Sequence, residues 1–128
     1  MTSPSFLGLR TVTYAVGDLE RAKAWYADVL GVAPYFDQPF YVGFNVGGFE
    51  LGLQPAEGTQ QPGEGGSTAY WGVPNAERAL AQLLTQGAKV AQPLQDVGDG
   101  IRVATVKDPF GNLLGIIENP HFPNTQGA

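Results

Sequence analysis

From Leu7 to Val16 the chain alternates, with Val12, Tyr14 and Val16 on one face and Thr11, Thr13 and Ala15 on the other. That is the period-two pattern of a half-buried strand. The period then changes. Leu19, Ala22, Tyr26 and Val29 or Leu30 recur at three- and four-residue steps, which predicts a helix with one apolar stripe. Asp18 is placed to cap its N-terminus, Glu20 and Arg21 fall in its first turn, and Gly31 is a suitable stop. Three short strands are expected next, near residues 32–36, 40–46 and 49–54. Gly47-Gly48 marks a hairpin between the last two, because glycine takes positive φ at little steric cost. Residues 55–66 (PAEGTQQPGEGG) have almost no apolar content and read as a linker, the segment most expected to move.

The pattern then repeats. Thr68-Ala-Tyr-Trp-Gly-Val73 resembles Thr11-Val-Thr-Tyr-Ala-Val16, and at the same offset Glu77-Arg78-Ala79 falls on Glu20-Arg21-Ala22. Asn75 is the expected cap of a second helix, with Ala76, Leu80, Leu83 and Leu84 as its apolar stripe and Gly87 at its end. Strands follow near residues 89–94, 101–107 and 113–117. The last two are joined by Asp108-Pro109-Phe110-Gly111-Asn112, where proline presets a negative φ and Gly111 or Asn112 takes the positive one. Each half is strand, helix and three strands. Two copies are a duplication rather than a repeat array. One domain over residues 1–128 is expected, with modules at about 7–54 and 67–119, a linker at 55–66, and loose ends at Met1–Ser5 and beyond Pro120.

Composition narrows the function classes. The formal net charge is −5, which argues against a nucleic-acid partner, since a phosphate backbone calls for a basic face. No basic tract precedes a long apolar run, so no membrane segment is expected. There is no cysteine, which removes disulfides, thiolate metal sites and cysteine nucleophiles and suits a cytoplasmic location. The one histidine, His121, lies past the last strand and reads as a solvated tail residue.

Three stretches together resemble the glyoxalase/bleomycin-resistance/extradiol-dioxygenase (vicinal oxygen chelate) superfamily. They are Val16-Gly17-Asp18-Leu19-Glu20-Arg21-Ala22, the following Trp25-Tyr26…Leu30-Gly31, and Lys107-Asp108-Pro109-Phe110-Gly111-Asn112. The resemblance spans roughly residues 7–119. It implies an α+β fold, two βαβββ modules forming an eight-stranded, open, barrel-like sheet with a cleft, and a homodimer. In metal-dependent members four inward-facing side chains hold a divalent ion. Here those positions fall on Thr11, Glu50, Thr68 and Gly115, so one of the four is kept. A single carboxylate with two neutral hydroxyls and a glycine is a poor donor set, and no metal or other cofactor is expected. Glu118 lies three residues past Gly115, so alternation points it to the opposite face.

The cleft face carries Thr11, Thr13, Glu50, Gln54, Thr68, Tyr70, Leu113 and Gly115, with small residues at several points. Such a surface suits an organic ligand held by stacking and a few hydrogen bonds. The reading that follows is a metal-free protein binding or sequestering a small molecule. A lyase, isomerase or dioxygenase-type enzyme is the alternative, with Glu50 as a base whose pKa is raised in a dry cleft. A non-catalytic interaction module is the second alternative, and its mark would be a cleft filled by the protein's own side chains. Tyr14 and Trp71 are expected in the core. Of the adjacent Trp25 and Tyr26 one is expected buried and the other at a subunit contact.

Overall fold

The computed structural model describes residues 9–58, 60–64 and 68–121. The lead-in at Met1–Ser5, linker positions 59, 65 and 66, and the tail past His121 lie outside the described residues. Module one is β1 (Thr11–Val16), α1 (Leu19–Leu30), β2 (Phe36–Gln38), β3 (Tyr41–Val46) and β4 (Phe49–Pro55). Module two is β5 (Tyr70–Gly72), α2 (Ala76–Thr85), β6 (Lys89–Gly98), β7 (Ile101–Lys107) and β8 (Leu113–Glu118).

Two four-stranded sheets result, ordered β1-β4-β3-β2 and β5-β8-β7-β6. In each, the first strand pairs parallel with the fourth and the other pairs are antiparallel. The fold is therefore α+β with two βαβββ modules, and neither sheet closes into a barrel. Both helices start as their sequences require. The Asp18 carboxylate accepts from the Arg21 amide and the Asn75 side-chain oxygen from the Arg78 amide, each relieving an orphan N–H of the first turn. Gly47 and Gly48 both take positive φ (62° and 93°), so the β3–β4 hairpin has a two-residue loop that sets its register.

Three boundaries differ from the sequence pattern. The second strand begins at Phe36 rather than near Val32, because Gly31 is left-handed and Pro34 interrupts the chain before pairing starts. The segment from Lys89 runs as strand to Gly98 despite Pro93, accommodated by shifts of register against β7; as an edge strand it can include a residue with no N–H. The fifth strand shortens to Tyr70–Gly72.

One hydrophobic core joins the modules. Val16, Ala22, Tyr26, Val42, Phe44, Leu51, Leu53 and Val106 are fully buried in it, and Trp25 and Phe110 pack against it. The Asp-Pro-Phe-Gly-Asn turn is where the modules meet. Phe110 stands edge-on to Trp25 and tilted against Tyr26, with Arg21 over its ring. The Asn112 side chain donates to the Ala15 carbonyl at the end of β1. Trp25 is not free for a subunit contact through its indole N–H, which donates to the Gln86 carbonyl at the end of α2.

Candidate functional site

The hairpin register decides what faces what. With Gly47-Gly48 as the loop, Asn45 pairs with Glu50 and Gly43 with Gly52, while parallel pairing sets Thr11 beside Glu50 and Thr13 beside Gly52. One face of sheet one thus carries Thr11, Thr13, Gly43, Asn45, Glu50 and Gly52, with Tyr41 two residues before Gly43. The apolar partners Val42, Phe44, Leu51 and Leu53 alternate with them into the core.

Glu50 is the centre of this face. One carboxylate oxygen accepts from the Thr11 hydroxyl at 3.0 Å and from the Tyr41 hydroxyl at 2.9 Å, and the other accepts from the Tyr35 hydroxyl. A carboxylate has about four acceptor positions, so one remains open. These donors, Tyr35 first, hold the Glu50 carboxyl below its ordinary value of 4.5 against an opposing effect of burial. The direction is the reverse of the raised pKa expected for a base in a dry cleft. Burial, seconded by the bond to Glu50, pushes the Tyr41 hydroxyl up to about 12, and its bond to Glu50 raises Tyr35. Both phenols are thus fixed as donors.

The tyrosines occupy space that glycines leave. A Cβ on Gly43 would stand 2.6 Å from the Glu50 carboxylate and 3.1 Å from the Tyr35 ring, and one on Gly52 would overlap the Tyr41 hydroxyl. The small residues of this face therefore admit the protein's own aromatic side chains, where the sequence pattern had suggested room for a ligand. What stays open is a shallow cavity of about 230 Å³ lined by Arg10, Thr11, Tyr35, Asn45, Gly48, Phe49 and Glu50.

The remaining predicted residues lie elsewhere. Gln54 is half-buried and donates to the Gln60 side chain in the linker. Tyr70 pairs with Gly115 across β5 and β8 and lies over it. Leu113 and Thr68 are half-buried. Among the described residues no hydrogen bond links Thr68, Tyr70, Leu113 or Gly115 to the Glu50 group. Glu118 lies on the helix side as alternation requires: it accepts from the Ala76 amide at the start of α2 and from Arg102. His121 meets the Asp99 carbonyl through its Nε2.

A divalent ion does not fit these positions. Three of the acceptor sites on Glu50 are occupied by hydroxyl donors, Thr11 spends its proton on that carboxylate, and Gly115 has no side chain. Among the described residues no three His, Cys, Asp or Glu side chains gather as a metal site. No described helix is long and apolar enough to cross a membrane.

Tyr35, Tyr41, Asn45 and Phe49 were not picked out from the sequence. Asn45 and Tyr41 were within reach, since a two-residue Gly-Gly loop places them on the face of Glu50 by counting in twos. Tyr35 was not, because it precedes β2 and arrives at Glu50 only through the packing of that edge.

The chain matches the family model described as Glyoxalase/Bleomycin resistance protein/Dioxygenase superfamily over residues 8–116. A glyoxalase-related enzyme from Fulvimarina pelagi superposes with a TM-score of 0.78 at 22% identity, over 96% of this chain and 96% of that one. A lactoylglutathione lyase from Agrobacterium tumefaciens gives 0.73 at 18% identity over 94% and 100%. TioX from Micromonospora sp. ML1 gives 0.69 at 24% over 87% and 98%. At these identities the structural likeness speaks for the fold alone. No curated protein sequence matches the chain.

Proposed function

The chain belongs to the glyoxalase/bleomycin resistance protein/dioxygenase superfamily, and we propose that within it this protein is a metal-independent binder that holds a small organic molecule over Glu50. The observation that carries the reading is a carboxylate kept ionised by three hydroxyl donors, with one acceptor position open, at an open cavity walled by Tyr35 and Phe49. Two features weigh against general-base catalysis. A base works best with a pKa near the working pH, and Glu50 is displaced downward. Its lone pairs are also mostly engaged.

Backbone NMR during a screen of small organic fragments tests the reading. Hits should shift the amides of Gly48, Phe49 and Glu50. If every hit leaves those three unmoved, the site is wrong. The metal-independent part has its own check. Zinc, nickel or a chelator should change the melting temperature by less than the roughly 4 °C that 1 kcal/mol of selective binding brings to a domain of this size. A larger shift on adding one of these ions defeats it.

A second reading, a non-catalytic interaction module, is favoured by one specific observation. Tyr41 lies over Gly52 and Tyr70 over Gly115, so much of the face is filled from within. It predicts that no fragment binds near Glu50 and that Tyr41→Ala, by opening the face, is the first variant to gain small-molecule binding there.

A further inference from the structure

We propose that the ligand of the Glu50 cavity is a flat aromatic molecule carrying a positive charge, such as an amidinium or protonated amine on a ring. The inference rests on the reading of this cavity as a small-molecule site. Three observations carry it.

The first is an unmatched charge. Among the described residues the ion pairs are Lys23 with Glu20 and Asp37, Arg102 with Glu118, and Lys107 with Glu64. Glu50 has none, and its partners are neutral hydroxyls. Arg10 also lines the cavity and keeps its own charge there, its guanidinium reaching only the Leu9 carbonyl at 3.5 Å, but among the described residues it forms no ion pair with Glu50. Three neutral donors orient the charge without cancelling it, and the open acceptor position on the Tyr35 side suits an N–H⁺ of a ligand.

The second is the wall chemistry. Tyr35 is 64% exposed and Phe49 47% exposed, and both line the cavity with Glu50. Their faces are negative, so they attract a cation as well as stacking on a ring. The aromatic surface continues through Phe36 and Phe40, which pack edge to face beside Tyr41. The third is the whole-chain charge of −5, which raises the local concentration of organic cations and lowers that of anions.

Benzamidinium, benzamide and benzoate test the charge at nearly constant shape. Titration calorimetry on the full chain, with the amides of Gly48, Phe49 and Glu50 followed by NMR to locate binding, is expected to rank them in that order. Benzamidinium should bind at least tenfold tighter than benzamide. Glu50→Gln should remove the preference, bringing benzamidinium to within about twofold of benzamide measured on the same variant. The affinity for benzamidinium should be flat above the ordinary carboxylate value of 4.5 and fall as lower pH protonates Glu50. Equal binding of benzamidinium and benzamide at these amides, or a Glu50→Gln variant that keeps the preference, overturns the cation inference and leaves the small-molecule reading standing. Binding of none of the three at these amides overturns the cation inference, and the small-molecule reading then falls only if the fragment screen also leaves them unmoved. Urea unfolding of Glu50→Gln beside the parent chain reports whether the variant is folded.

Discussion

Replacing Asp108 with alanine is expected to destabilise the domain by about 3–5 kcal/mol, the range for breaking a buried, hydrogen-bonded charge site. Asp108 is only 3% exposed. One of its carboxylate oxygens accepts from the Phe110 and Asn112 amides, both at 2.9 Å, and the other accepts from the Tyr26 hydroxyl at 2.5 Å. Alanine strands the Tyr26 hydroxyl and the Asn112 amide in buried positions and the Phe110 amide in a part-buried one. It also removes the bond by which the turn grips α1, since Tyr26 belongs to module one and Asp108 to module two. A domain of ordinary stability has about 5–15 kcal/mol in total, so the loss brings the protein close to unfolding. Tyr26→Phe deletes a single donor and should cost about 1.5–3 kcal/mol. Tyr14→Phe is the control. Among the described residues the buried Tyr14 hydroxyl has no hydrogen bond of good geometry, the Trp71 indole N–H being the polar group that faces it, so its removal should cost under about 1 kcal/mol. Urea unfolding of the three variants gives the order. An Asp108→Ala cost below that of Tyr26→Phe would show that the turn is not what holds the modules together.

That turn was legible in the sequence as local chemistry and illegible as tertiary structure. Proline, glycine and asparagine announce a tight reversal, and Gly111 does take positive φ at 95°. Nothing in the string Asp-Pro-Phe-Gly-Asn says that its acid will accept from a tyrosine 82 positions away. The helix caps and the Gly-Gly hairpin were readable for the same reason, since each is decided by residues a few positions apart, and the duplication because such local strings recur at one offset. β2 and β6 were misplaced because edge strands are held by one neighbour and tolerate irregularity. At the site, Glu50 and Thr11 were picked out through the family resemblance and Thr13 through strand alternation from Thr11. The meaning of the glycines was missed, because alternation says which face a residue takes and not what crosses over it from the next strand.

The hydroxyl cluster also changes what Glu50 can do. An isolated carboxylate in a cleft loses solvation, and its pKa rises. Three donors reverse that outcome here and keep the charge in place at neutral pH. A group so held is a poor proton acceptor and a good fixed anion. The site is thus better suited to recognition than to proton transfer, and the same donors that stabilise the charge consume the lone pairs a metal would need.

Gly115→Glu, which would restore an acid at the fourth position, is expected to lose about 2–3 kcal/mol of stability and to gain no metal site. A Cβ there would stand 2.6 and 2.9 Å from atoms of the Tyr70 ring and 2.8 Å from the Ala69 carbonyl oxygen. Tyr70 is 47% exposed and can swing away. The Ala69 carbonyl cannot, because it accepts the Gly115 amide at 2.9 Å where β8 runs alongside the chain leading into β5. Overpacking against fixed backbone costs about 1–3 kcal/mol, and Gly115→Ala isolates that part. The double variant Gly115→Ala, Tyr70→Ala then separates the two obstacles. If the backbone clash matters, adding Tyr70→Ala recovers only part of the loss, whereas full recovery would assign the whole effect to the ring. Wild-type stability in Gly115→Ala would show that β8 can shift to admit a side chain. In that case Gly115 records only the absence of an acid. If the loss is found, the pairing of the two strands disfavours any side chain there, and an acid at position 115 comes only at the expense of that pairing.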